Sequence, residues 1–193
     1  MPAPTRRSLT TGLLPAAAAL LAAPALLRPR PAQAATAAEI NAEVNAALVS
    51  LRQREETRNL FRQARATLIF PRIVQGGFIV GGQYGEGAAL GPDGNIRGYY
   101  NIAGASLGLL AGAQTAGLAM FFMTDEAVQA LMRADGWQIG TGPSVVVLDQ
   151  GAQMNITATT VLEPVYAVTF NQQGLMASLA LEGTKISRIN PDA

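Results

Sequence analysis

The sequence predicts an α+β domain that is predominantly antiparallel β, a curved or barrel-like sheet with one or two N-terminal helices and one short internal helix. Three observations predict it. Between Gln75 and Gly87 glycine fills six of thirteen positions, interleaved with the strand formers Phe78, Ile79, Val80 and Tyr84. Glycine within a strand pattern marks a bulge, a bend or a close backbone approach, so this stretch reads as a bent strand or a tight hairpin inside the core. Charged residues make up only 14% of the chain against 49% apolar, well under the usual quarter, which suits long buried strands joined by tight turns. Helical periodicity is confined to Thr36–Arg65 and to a short segment after Thr124. A length of 193 residues suits one domain.

Residues 1–34 read as a cleavable export signal. Arg6-Arg7 open it, Leu13–Leu27 form an Ala/Leu-rich apolar segment, and Ala32-Gln33-Ala34 gives the small-x-small pattern that places the cut before Ala35. Thr5-Arg6-Arg7-Ser8-Leu9 resembles a twin-arginine (Tat) signal. The mild hydrophobicity of an Ala-rich segment, and Arg28 and Arg30 just before the cut, agree with that route. The expected location is exported, periplasmic or extracellular; with no cysteine there is no lipobox. Loss of four leader arginines leaves ten basic residues against thirteen acidic ones, a net charge of −3. The basic pI of the whole chain is therefore no nucleic-acid signal, and no nucleic-acid partner is expected.

The remaining residues, 35–193, are expected to form a single domain with a helical lead-in over 36–65 and a β-rich core over 66–190. From Thr36 to Leu51, Ile40, Val44, Ala47, Leu48 and Leu51 recur at helical spacing, and Thr36 with Glu39 makes a capping box. Beyond it Arg54, Arg58, Arg62 and Arg65 continue the apolar stripe, which one straight packed helix does not tolerate. A break near Glu55–Thr57 resolves the conflict. Six of the ten basic residues after the leader fall between Arg52 and Arg72. They read either as a patch for a polyanion such as phosphate-bearing headgroups, or as a solvated helix face on which Glu55, Glu56 or other carboxylates neutralise Arg58 and Arg62.

Ala66–Phe70 reads as a strand ended by Pro71, and Gly91-Pro92-Asp93-Gly94-Asn95 as a turn. Gly98–Thr124 holds no charge and meets the length of a membrane span. Its glycines, Tyr99-Tyr100-Asn101 and Gln114-Thr115 favour two buried strands turning near Gly112–Gln114. Thr124 caps a helix with Val128, Leu131 and Met132 facing the core, stopped by Gly136. Strands follow over Ser144–Leu148, within Asn155–Thr160, over Val165–Phe170, Leu175–Leu181 and Thr184–Ile189.

The absence of histidine and cysteine removes the imidazole base, the thiolate nucleophile, disulfides and Cys/His metal sites. Gly104-Ala105-Ser106-Leu107-Gly108 matches the G-x-S-x-G nucleophile elbow but lacks the histidine that motif uses. No enzyme, cofactor or metal is expected. Glu86 is the one charge between Arg72 and Asp93; it is a candidate partner of Arg72 or Arg97, as structure or as part of a site, or an exposed turn residue. Tyr84, Tyr99 and Tyr100 either line a groove or belong to the core.

Four blocks then occur in order: Phe70-Pro71, Gly76 to Gly87, Phe122-Met123-Thr124-Asp125-Glu126-Ala127, and Gly174 to Gly183. Together they resemble the SYLF domain family of yeast actin-binding proteins and bacterial exported homologues, over about Leu60–Ile189. The resemblance implies a compact β-rich fold with few helices and no known catalytic residues. It also implies binding of anionic phospholipid or a membrane surface, since eukaryotic members bind phosphoinositides and some bind actin. Arg58, Arg62, Arg65 and Arg72 are the candidate headgroup contacts, and an envelope protein is the alternative partner. Gln75 stands where the family commonly has lysine, which removes one candidate contact.

Overall fold

The computed structural model describes residues 35–133, 135–148, 163–173 and 181–192, with the backbone alone at 78–80 and 106–113. The leader, the strand within Asn155–Thr160 and most of the strand over Leu175–Leu181 lie outside the described residues. Helix α1, Ala37–Gln53, begins on the expected capping box. Glu39 N–H donates to Thr36 Oγ1 (3.3 Å), and Thr36 N–H donates to Glu39 Oε2 (2.9 Å). Ile40, Val44, Ala47 and Leu51 are buried as expected, while Leu48 is half-buried. Each large side chain among them contributes roughly 1.5–3 kcal/mol by leaving water.

The break falls at Arg54, one residue ahead of the expected interval, where an extended backbone (φ −79°, ψ 130°) ends α1 and starts α2, Glu55–Gln63. Thr57 is fully buried and seals the break, its hydroxyl donating to the Leu51 carbonyl, which also accepts from the Arg54 N–H (3.1 Å). The change of direction lets α2 bury Leu60 and set Phe61 edge-on against Phe121, centroids 4.8 Å apart. The arginines of the stripe are thereby turned outward.

Strands β1 (Ala66–Leu90) and β2 (Ile96–Phe122) form one long antiparallel ribbon, paired from Ala66 opposite Phe122 to Leu90 opposite Ile96. The Gly91–Asn95 turn joins them, with Gly94 in the left-handed region (φ +79°). Two expectations are corrected here. Pro71 does not end its strand: the register shifts between Phe70 and Ile73, and a proline at such an irregularity gives up no ladder bond. Nor does the chain turn at Gly112–Gln114. Gly112 faces Gly77 and Gln114 faces Gln75, and after a register shift between Gly77 and Ile79 the ladder resumes with Ile79 opposite Gly108, so the ribbon is bent here instead of reversed.

The bend folds β1 onto itself. A Cβ on Gly85 would lie 2.8 Å from the Arg72 carbonyl oxygen and 2.9 Å from Ile73 Cγ1; one on Gly87 would strike the Ile69 carbonyl and lie 2.9 Å from Phe70 Cδ1. The two halves of the strand meet backbone to backbone, and only glycine fits the crossing. The Gln75–Gly87 stretch is thus a bent strand and not a hairpin, with Gln75, Gln83, Gly85 and Gly87 buried and Gly82 and Tyr84 exposed.

Strand β2 is the spine of the sheet. β1 lines one edge; along the other, β6 (Lys185–Ile189) pairs with Tyr99–Ala103 and β5 (Val165–Gln173) pairs within Thr115–Phe122. β3 (Trp137–Gln138) flanks β6, and β4 (Val145–Leu148) runs parallel to β5. Where β1, β2 and β5 lie side by side, both faces of the sheet are covered. Leu68, Phe70, Leu118, Met120, Phe122 and Val165 pack on one side with Trp137. The alternate residues Ile69, Ala119, Phe121, Tyr166 and Val168 pack on the other under α1 and α2.

Helix α3, Asp125–Leu131, is capped by Thr124, whose hydroxyl accepts from Ala127 N–H (3.2 Å). It buries Ala127, Ala130 and Leu131, with Val128 packed beside them. Met132, expected in the core, is 58% exposed because the helix has already ended. Gly136 follows with φ +82°, leaving room for the Ile186 carbonyl that a Cβ would approach to 2.6 Å. No helix among the described residues is long and apolar enough to cross a membrane; the uncharged run Gly98–Thr124 lies almost wholly in β2.

Candidate functional site

The four arginines singled out by sequence divide into two kinds. Arg58 and Arg62 stand four residues apart on the exposed side of α2, so their side chains are neighbours one turn apart. Among the described residues no carboxylate comes within ion-pair distance of either. Arg62 donates to the neutral Asn59 Oδ1. The expected neutralisation by Glu55 and Glu56 does not occur; those two acids sit in the first turn of α2, where they complement the helix dipole.

Arg65 and Arg72 are held by acids from distant elements. Arg65 leaves the end of α2, its N–H donating to the Phe122 carbonyl (2.7 Å), and its guanidinium lies 3.9 Å from Asp125 at the start of α3. Arg72, at the β1 irregularity, lies 3.7 Å from Glu43 of α1. Each pair is more than half exposed and contributes at most about 1 kcal/mol. Their role is to halve the free positive charge of the set. Arg52 is drawn away in a third manner, lying 5.6 Å over the Phe61 ring.

Arg72 also borders an open groove of about 320 Å³ with Glu43, Ala47, Pro71, Phe170 and Asn171, the last in a left-handed conformation (φ +50°). A second groove, about 440 Å³, runs along Ile139, Pro143, Val145, Val147 and Leu181 with Glu182 at its side. Neither groove has two free cations on its walls.

Glu86 does not pair with Arg72 or Arg97. It accepts from the Ala35 N–H (3.0 Å) and from the Tyr84 hydroxyl (2.6 Å), while Arg97 pairs with Asp93 in its own turn (2.8 Å). Arg97 is therefore structural: with Asn95 it satisfies the Asp93 carboxylate, whose pKa is lowered chiefly by the Asn95 hydrogen bonds. Partial burial, then the Glu86 carboxylate, raise the Tyr84 phenol. Of the three tyrosines, Tyr84 is 47% exposed, Tyr99 is half-buried and Tyr100 is core.

Ser106 sits in mid-strand opposite Gly81, whereas the G-x-S-x-G elbow needs a strand-to-helix turn. Among the described residues no group of three His, Cys, Asp or Glu side chains is placed to hold a metal. Gln75 is 3% exposed and its Oε1 accepts from Gln114 Nε2 (2.6 Å), so this position is an interior cross-strand pair. Sequence reasoning missed three groups: Thr57, the buried bond from Gln83 Nε2 to Thr184 Oγ1 (2.8 Å), and the Tyr84–Glu86–Ala35 cluster. The isolation of Glu86 in an uncharged stretch was the signal for the last.

Residues 103–191 match the Ysc84 family model, described as a Las17-binding protein actin regulator. The match takes in the blocks at Phe122–Ala127 and Gly174–Gly183 and begins after the Gly-rich bend. No curated protein matches the chain. The β-rich architecture with N-terminal helices agrees with the fold that the four sequence blocks implied, and the match over residues 103–191 is consistent with a domain of the SYLF (Ysc84) family.

Proposed function

We propose that the protein is an exported, non-enzymatic module that binds an anionic lipid or membrane surface through the exposed face of α2. One observation carries this reading: Arg58 and Arg62 stand side by side with no carboxylate within ion-pair distance among the described residues, although α1 supplies an acid to Arg72 and α3 supplies one to Arg65. A pair of unneutralised guanidiniums on a rigid helix attracts phosphate at about 1 kcal/mol per arginine near an anionic surface, and salt weakens it. Export by a Tat-type signal cut before Ala35, to the periplasm or beyond, completes the proposal. The mid-strand position of Ser106 supports the non-enzymatic part.

A second reading is an envelope protein-interaction domain. It is favoured by the pairing of Arg65 and Arg72, which leaves only a small free basic face, and by the family description, which names a protein partner. Co-flotation of residues 35–193 with anionic and neutral vesicles, at low and moderate salt, separates the two. The lipid reading expects selective, salt-sensitive flotation with anionic vesicles that Arg58→Glu with Arg62→Glu removes. No flotation under any condition refutes it.

A further inference from the structure

Three carboxylates converge on three successive backbone N–H groups at the start of the domain. Glu86 of β1 accepts from Ala35 (3.0 Å), Glu39 of α1 accepts from Thr36 (2.9 Å), and Asp192 near the C-terminus accepts from Ala37 (3.2 Å). None of the three makes a salt bridge among the described residues. Glu39 belongs to the capping box, but Glu86 and Asp192 reach the segment from 51 and 155 residues away. Ala35 itself packs against the outer core. The segment is therefore gripped by the fold, and what grips it is negative charge.

Ala35 is also the residue that follows the Ala32-Gln33-Ala34 cleavage pattern. We propose that the Glu86 carboxylate, with the Tyr84 hydroxyl holding its other oxygen, is a docking site for the α-ammonium of Ala35 created by leader removal. The inference rests on the export reading above. Hydrolysis of the Ala34–Ala35 peptide by a leader peptidase breaks the C–N bond and consumes one water. Its oxygen stays on the new Ala34 carboxylate, and its two protons end on the Ala35 nitrogen. A single neutral N–H donor becomes a cation with three donors, at a distance already fit for an ion pair. The neutral hydrogen bond becomes a charge-assisted one, roughly twice as strong. Processing thereby strengthens a contact that the uncleaved chain already makes, and fastens the new N-terminus to the middle of the ribbon.

The location of Glu86 agrees with this role. It is half-buried in a stretch whose two strands otherwise carry no charge from Ile73 to Leu90 and from Gly98 to Phe122. This half-buried carboxylate otherwise accepts only neutral hydrogen bonds, and an ammonium from its own chain gives it an opposite charge.

The test uses residues 35–193, which lie within one compact unit. Chains beginning at Ala35 are prepared with a free or an acetylated α-amine, each with Glu86 or Glu86→Gln. Acetylation is expected to lower Tm by about 2–4 °C at neutral pH in a domain of this size, and Glu86→Gln is expected to abolish that difference. Equal Tm for the two forms, or the same difference in Glu86→Gln, overturns the proposal. If Glu86→Gln fails to fold, acylation of the Ala35 amine in the wild-type chain decides. It is expected to be several-fold slower than in a peptide of the first ten residues, and an equal rate overturns docking. N-terminal sequencing of the exported protein tests the export reading separately: a mature terminus other than Ala35 removes the processing step whatever the melting data show.

Discussion

Replacing Gly87 by alanine tests the central feature of the fold, the crossing of the two halves of β1. The added Cβ would collide with the Ile69 carbonyl oxygen and lie 2.8 Å from its carbon and 2.9 Å from Phe70 Cδ1. The first two atoms are backbone and have no rotamer to escape into. Restoring ordinary contact requires the crossing to open by well over 1 Å, because the carbonyl oxygen is the nearest atom and ordinary contact begins at about 3.4 Å. Overpacking of a filled core costs roughly 1–3 kcal/mol, and backbone against backbone belongs at the upper end. At about 2–4 °C per kcal/mol for a domain of this size, Tm falls by roughly 4–10 °C. Gly82→Ala is the control. Its Cβ would meet only the Gly104 carbonyl, at 3.8 Å, an ordinary contact. Alanine there is tolerated or raises stability by about 0.4–1 kcal/mol through the unfolded chain. Thermal melts of both variants by circular dichroism decide the matter. Equal shifts for the two, or an unchanged Gly87→Ala, refute the argument that the crossing demands glycine.

Thr57→Val keeps the volume but removes the hydroxyl's bond to the Leu51 carbonyl, which retains the Arg54 N–H; urea denaturation should show a loss of about 0.5–1.5 kcal/mol. Hydrogen bonds from the Thr36 backbone and hydroxyl hold the Glu39 pKa below its usual 4.5. A depressed carboxylate contributes stability that is present above its unfolded pKa and lost as pH falls through the folded one. Acid melts of Glu39→Gln should therefore converge on those of the wild type in that acidic range and differ above it. Arg58→Gln with Arg62→Gln should leave Tm within about 2 °C. The same variant should weaken partition into anionic vesicles by about 30-fold, from about 1 kcal/mol per arginine.

Much of the fold was legible because its signals are local. The Thr36–Glu39 box, the Gly91–Asn95 turn and the Thr124 cap involve residues within a few positions of one another, and all three form as read. What was not legible depends on partners far along the chain. Pro71 punctuates a strand in isolation, yet β2 supplies a ladder that resumes at Ile73, so the strand runs on. Gly112–Gln114 has the composition of a turn, but Gly77 and Gln75 lie opposite and hold it extended. The same limit applied to the charges. Spacing alone offered Glu55 and Glu56 as partners for the α2 arginines, whereas acids pair with Arg65 and Arg72 across tertiary contacts.

That sorting of charge bears on how the domain meets a surface. If all four arginines were free, they would be spread over α2, the α2–β1 junction and the β1 irregularity, and no flat membrane need touch them all. Pairing Arg65 with Asp125 and Arg72 with Glu43 removes the two that lie off the helix. The two left share one face of one short helix, whose opposite face is fixed by Leu60 and by Phe61 against Phe121. The break at Arg54 is what makes this possible: continued straight, the stripe of α1 would carry Arg58 and Arg62 toward the sheet. Thr57 is thus coupled to the proposed binding face without being part of it. A variant that straightens the break should bury or displace both arginines and lose vesicle binding together with stability, whereas Arg58→Gln with Arg62→Gln should lose binding alone.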